Sequence, residues 1–199
     1  MCFCSVFASI ALVAQPLSVD SLLARFRALP GLQANFHETK KLLLLKAPLT
    51  SEGTIHFAPP GKLARHTTGP AESTLVVDAH EVRFFDGESS QSIPLEGNPV
   101  VRLFVDAFLK VLQSDNAALE KIFTIELKPS AAGWTMVLLP RIKPMNEVLD
   151  RLILEGDGAV LSRLTVREKS GDETVTTFSQ VDIQHRYTPE EIRRIFGKP

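Results

Sequence analysis

Cysteine is nearly absent from this 199-residue chain: Cys2 and Cys4 are the only two, and both lie in the first four residues. Two cysteines alone leave a metal site incomplete, and no zinc-ligand spacing elsewhere supplies the remainder. Net charge is also lacking, at -1, so there is no overall reason to expect a nucleic-acid partner, whose polyanion selects a basic surface. Catalytic signatures are missing as well. The chain has no G-x-S-x-G elbow, no phosphate-binding Walker loop and no dinucleotide fingerprint. His37-Glu38 begins like a zinc-protease helix, but position 41 is lysine. Asp157-Gly158 lacks the other acidic ligands of a calcium loop. The five histidines, 37, 56, 66, 80 and 185, are scattered, and none has a sequence neighbour that suggests a relay. These absences favour a binding protein with no cofactor and no metal over an enzyme. A hydrolase whose Ser, His and Asp converge only in space stays open.

What is present suits one domain with a substantial core: 44% apolar and 23% charged residues, without repeats or low-complexity tracts. Residues 1–14 carry no charge, and Phe3 to Val13 is mostly apolar. That run is too short to cross a bilayer as a helix but matches the apolar core of a signal peptide. Ser9-Ile10-Ala11 fits cleavage after Ala11, and cleavage after Ala14 is the alternative; a basic start is lacking. The competing reading is a buried N-terminal strand or helix. Export leaves residues 15–199 as the mature domain, without cysteine.

Ser18 is placed to cap a helix from Val19 to Leu29, with Val19, Leu22, Leu23, Phe26 and Leu29 on one face and Pro30-Gly31 as the stop. Leu32, Ala34 and Phe36 then alternate with polar residues as in a half-buried strand. Leu42 to Leu45 reads either as a strand buried on both faces or as one lipped over an apolar cavity. From Ser51 to Gly87, four short strand-like runs (Gly53–Phe57, Leu63–Thr67, Thr74–Asp78, Glu81–Asp86) are separated by turn residues, the pattern of an antiparallel meander. Asn98-Pro99 opens a helix over Val100–Gln113 whose charges, Arg102, Asp106 and Lys110, form one narrow stripe. Its apolar surface is wider than a surface helix needs, so it is either buried between elements or a lid over a cavity. A short helix over Asp115–Phe123, strands at Thr124–Lys128 and Trp134–Leu139, and a loop from Pro140 to Asn146 follow. A three-stranded meander over Leu149–Gln184 and a helix begun by Thr188-Pro189 complete the chain.

The ordered set Leu32-Gln33-Ala34-Asn35-Phe36, Glu52–Leu63, Glu72–Asp78 and Val82–Asp86 resembles the LolA family, periplasmic carriers of outer-membrane lipoproteins. The likeness covers most of the mature chain, weakening towards residue 184. It implies an α+β fold: a strongly curved antiparallel sheet forming a half-open β-barrel, with helices over an apolar cavity. It implies that the protein shields lipoprotein acyl chains, or another amphiphilic lipid, between two membranes. It also implies a releasing transporter in the inner membrane and an acceptor at the outer one. Three positions depart from the family pattern. Pro59 stands where the family has a lid-fastening arginine, Ala79 where it has glycine, and Arg83 where it has tryptophan; Arg65 lies downstream, where many members have a second arginine. These departures point to a LolA-related paralog. On this reading Ile55, Phe57, Leu75, Phe84, Phe104, Phe108 and Leu139 contact lipid, and Arg65, Val101 and Val105 serve lid closure. A monomer is expected, and a lipid sensor of the same fold is the alternative.

Overall fold

In the computed structural model, which describes residues 17–98, 101–103, 105, 110 and 116–197, helix α1 spans Val19–Arg27. The Ser18 hydroxyl accepts from the Ser21 amide and the Ser21 hydroxyl accepts in return, so two of the helix's unpaired N–H groups are satisfied. Eleven strands then form one antiparallel sheet: β1 Leu32–Lys41, β2 Leu49–Ala58, β3 Lys62–Gly69, β4 Ser73–Val77, β5 Glu81–Phe85, β6 Ser90–Pro94, β7 Phe123–Ser130, β8 Gly133–Pro140, β9 Leu149–Asp157, β10 Val160–Glu168 and β11 Glu173–Asp182. Helices α2 (Asn116–Ile122), α3 (Met145–Val148) and α4 (Pro189–Phe196) complete the described elements. Residues 101–103, 105 and 110 are helical, within the expected Val100–Gln113 helix; Phe104 and Phe108 lie outside the described residues, as do residues 1–14.

The strand order is β6-β5-β4-β3-β2-β1-β11-β10-β9-β8-β7, so the first strand sits at the centre, paired with the last. The sheet does not close, and β6 and β7 are its two edges. Alternation gives the sheet two faces. On the face shared by Trp134, Met136 and Leu138, α1 packs Phe26 edge-on against Trp134, with ring centres 5.9 Å apart. The indole N–H is satisfied by the Gly158 carbonyl at 3.1 Å. Leu22, Leu23, Leu119 and Phe123 join this core, and Asn116 ties α2 to Asp20 of α1 through a 2.7 Å hydrogen bond. Gly53 shows how tightly the meander is drawn: a Cβ there would stand 1.9 Å from the His66 carbonyl oxygen.

One expectation is corrected. Leu42 to Leu45 is neither a buried strand nor a cavity lip but the turn between β1 and β2, with Leu44 97% exposed. The Leu45 amide returns to the Leu42 carbonyl, and no described strand pairs with the run. The edge strand β6 carries no strand signal in the sequence. Its sequence, SQSIP, is exposed throughout and has no apolar alternation.

Candidate functional site

The same face of the sheet forms an apolar cavity of two adjoining lobes. The first, about 350 Å³, is lined only by apolar side chains from strands β1 to β3 and β7 to β11, with Met145 of α3. Leu32 and Ala34 of β1, Ile55 and Phe57 of β2, and Leu152 and Leu154 of β9 contribute to it. The second, about 420 Å³, lies towards β4 and β5, where Leu75, Val77 and Val82 form its wall and the helical residues Val101 and Val105 lie across it. Ile55, Leu63, Leu164 and Phe178 line both lobes and so form the waist between them. Each volume falls in the range of about 300–1,000 Å³ usual for small-molecule sites.

Of the residues singled out in the sequence, Ile55, Phe57 and Leu75 come together here, with Val101 and Val105 opposite. Phe84 shares its strand face with Val82 but lies further out, 37% exposed, and is not among the lining residues. Leu139 faces away from the cavity, because successive strand residues alternate; its neighbour Leu138 lines the first lobe. Leu164 and Phe178, two of the waist residues, carry no sequence mark that separates them from ordinary core.

Arg65 stands in the second lobe with a carboxylate partner. It donates to Glu38 through both terminal nitrogens, at 3.0 and 3.1 Å, and to the Ser51 hydroxyl at 3.1 Å. Thr176 donates to the same carboxylate at 3.0 Å. The guanidinium carbon lies 4.2 Å above the centre of the Phe36 ring. Sheet register explains the grouping: Ser51 and Thr176 are the direct cross-strand partners of Glu38 on its two neighbouring strands. The Arg65 Nε is buried and has no hydrogen-bond partner among the described residues. Two oppositely charged side chains thus sit as a neutral pair beside an otherwise apolar surface.

The opposite, convex face carries a second cluster. Here α4 lays Ile195 and Phe196 over Ala58, Ala64 and Val76. His56 is buried beneath it, with Nδ1 3.2 Å from the Tyr187 hydroxyl and Nε2 3.3 Å from Thr54 Oγ1. Tyr187 donates its one proton to the Leu32 carbonyl, so neutral His56 donates from Nδ1 and accepts at Nε2. Burial, followed by repulsion from His66, His185 and Arg194, lowers the His56 pKa from 6.5 to about 4. Burial also lowers that of His66. A histidine that is neutral when folded binds fewer protons than when unfolded. Its contribution is therefore present above pH 6.5 and is lost as pH falls from 6.5 to about 4. The shift corresponds to roughly 3 kcal/mol. Chemical denaturation between pH 7 and pH 4 should show a loss of this order that a His56→Gln variant lacks.

Among the described residues no group of three or more His, Cys, Asp or Glu is placed to hold a metal, and no helix is long and apolar enough to cross a membrane. The family model of the outer membrane lipoprotein carrier protein LolA matches residues 27–191, most of the chain and all eleven strands of the sheet. The chain belongs to the LolA family. LolA proteins are carriers, which agrees with an apolar cavity as the main feature of the sheet. A search of curated proteins finds no match. Solved structures share the fold at low identity. A DUF1329 family protein from Desulfovibrio piger is 9% identical, with 89% of this chain and 94% of that one covered and a TM-score of 0.50. A domain assigned to outer membrane lipoprotein sorting from Vibrio parahaemolyticus is also 9% identical, with 89% and 95% covered and a TM-score of 0.50. MucB of the Pseudomonas aeruginosa MucA/MucB complex is 13% identical, with 87% and 58% covered and a TM-score of 0.50; this chain spans little more than half its length. Together with the family match they place the chain as a divergent LolA-like paralog with an open antiparallel sheet.

Proposed function

We propose that this LolA-like chain is a periplasmic carrier that holds the acyl chains of a lipoprotein, or of another amphiphilic lipid, in the two-lobed cavity during transfer towards the outer membrane. On this proposal residues 1–14 are a removed signal and residues 15–199 the single carrier domain. The observation that carries the reading is the first lobe, whose lining includes no polar side chain. Burying one methylene there is worth roughly 0.8 kcal/mol, so a chain of about fifteen would gain on the order of 12 kcal/mol relative to water. A membrane offers the same chain a similar gain, so loading and release are nearly balanced. Direction then comes from a releasing transporter and a tighter acceptor, and the carrier itself needs no nucleotide.

Ile55, Phe57 and Leu75, with Leu164 and Phe178 added from the structure, are the proposed lipid contacts. Phe104 and Phe108 remain proposed contacts on the lid helix, and Val101 and Val105 its closing surface. Arg65 is proposed to tie β3 to β1 beneath that helix. Mass spectrometry of lipid co-purified with the protein from a periplasmic extract tests the proposal. An acyl-containing species at close to one per chain is expected. Protein that emerges free of lipid, and that also takes up no hydrophobic fluorescent probe, would end the carrier reading.

A further inference from the structure

Among the described residues, the tip of the β1–β2 hairpin is the most strongly apolar exposed feature that the cavity does not use. Single exposed leucines are ordinary, but here Leu43, Leu44 and Leu45 of the turn and Leu49 at the start of β2 are 73%, 97%, 45% and 52% exposed. The tip is held in place from behind. The Leu43 amide donates to Asp172 at 2.8 Å, and its side chain packs beside Gly171 in the β10–β11 turn. That turn is joined in its own right to the end of α3, where the Lys169 amide donates to the Val148 carbonyl at 2.8 Å. Val148 is itself 52% exposed, while Met145 and Leu149 on either side of it line the first lobe. The leucine tip, Val148 and one rim of the cavity therefore lie at the same end of the sheet.

Along the hairpin tip itself the charges are of one sign, while the β10–β11 turn behind it adds Asp172 and, opposite Lys41, Glu173. Between Glu38 and Glu52 the only ionisable residues are Lys40, Lys41 and Lys46, flanking the leucines on both sides. Apolar side chains that project outward with lysines behind them match a bilayer surface: leucines enter the acyl boundary and ammonium groups stay among the headgroups. The same sign selects an anionic surface, at roughly fivefold in affinity per lysine.

We infer that the β1–β2 tip is a membrane-docking element, which seats Leu43 and Leu44 in an anionic bilayer with Lys40, Lys41 and Lys46 at headgroup level. It would bring the Met145–Leu149 rim of the cavity to the lipid surface. The inference is independent of what the cavity holds.

Flotation of the full chain with phosphatidylcholine vesicles, with and without phosphatidylglycerol, tests it. Leu44 is almost wholly exposed, so Leu44→Asp should melt like the parent yet bind phosphatidylglycerol vesicles at least about tenfold more weakly. Lys41→Glu with Lys46→Glu should remove the preference for phosphatidylglycerol, and added salt should weaken the parent's binding. Uptake of a hydrophobic probe in the absence of vesicles should be unchanged in all of them. Failure of the parent to float, or equal flotation of Leu44→Asp, would overturn the inference. So would leucine-dependent dimerisation in light scattering without vesicles, which would assign the tip to a second copy of the chain.

Discussion

Replacing Leu164 with aspartate is expected to abolish uptake of acyl chains and hydrophobic probes while the sheet stays folded. Leu164 is half-buried on β10, directly across from Leu154 and Thr176, and belongs to the waist that both lobes share. In the empty protein a carboxylate there is partly reached by water, so folding bears only part of its desolvation. A bound acyl chain would remove that water and leave the charge without a partner, at a cost of several kcal/mol. A loss of about 3 kcal/mol already weakens binding more than 100-fold. Leu164→Met preserves volume and should bind as the parent does. Leu164→Trp obstructs the waist without a charge, so it separates a blocked passage from an unfolded protein. Probe titration followed by fluorescence, with circular dichroism as the control for folding, reads all three. Undiminished uptake by folded Leu164→Asp would remove the waist from any account of binding.

The uneven legibility of this site has physical causes. Ile55 and Phe57 are readable because β2 alternates there between apolar and polar residues, which fixes the face each one serves, whereas Leu75 lies in the unbroken apolar run Leu75–Val77. In β8 that signal fails. Trp134, Met136 and Leu138 face the core, but Val137 and Leu139 on the other face are apolar too, so parity is not readable and the sequence does not separate Leu138 from Leu139. The Leu42–Leu45 run misled for a related reason. An apolar run has the same appearance whether it is covered on both sides or projects into solvent, and only the position of the hairpin turn decides. Glu38 and Arg65 are separated by a full strand and 27 residues, so their pairing depends on the registers of β1, β2 and β3 together. The meander itself was readable because Pro-Pro-Gly, Gly-Pro and Asp-rich turns set strand lengths locally, whereas the central pairing of β1 with β11 brings together residues some 145 positions apart.

Arg83→Ala is expected to undock α4 from the convex face, with a loss of about 3 kcal/mol. Arg83 stands where the family pattern has tryptophan, and its side chain, 11% exposed, is directed at the end of α4. It donates to the carbonyls of Phe196 and Gly197 at 2.8 Å each, and pairs with Glu81 at 3.2 Å and Asp78 at 3.8 Å. The last carbonyls of a helix lack partners within it, and a guanidinium there satisfies two of them and complements the negative end of the helix dipole. Charge-assisted hydrogen bonds are worth about 1.5–3 kcal/mol each, and the loss of both is not simply additive. The alanine variant also leaves two carboxylates without their cation. Because the apolar contact of α4 with the sheet is small, made by Ile192, Ile195, Phe196 and its approach at Tyr187, it should open before the strands do. Amide exchange in residues 189–196 should therefore accelerate far more than exchange in β1 and β11. The effect should reach His56 as well. Opening of α4 admits water to the imidazole, so its pKa rises from about 4 towards 6.5 and the acid-dependent loss of stability flattens. An accelerated helix without that change in pH profile would mean that His56 owes its neutrality to the sheet alone, whereas unchanged exchange in α4 would show that the apolar contacts hold the helix without Arg83.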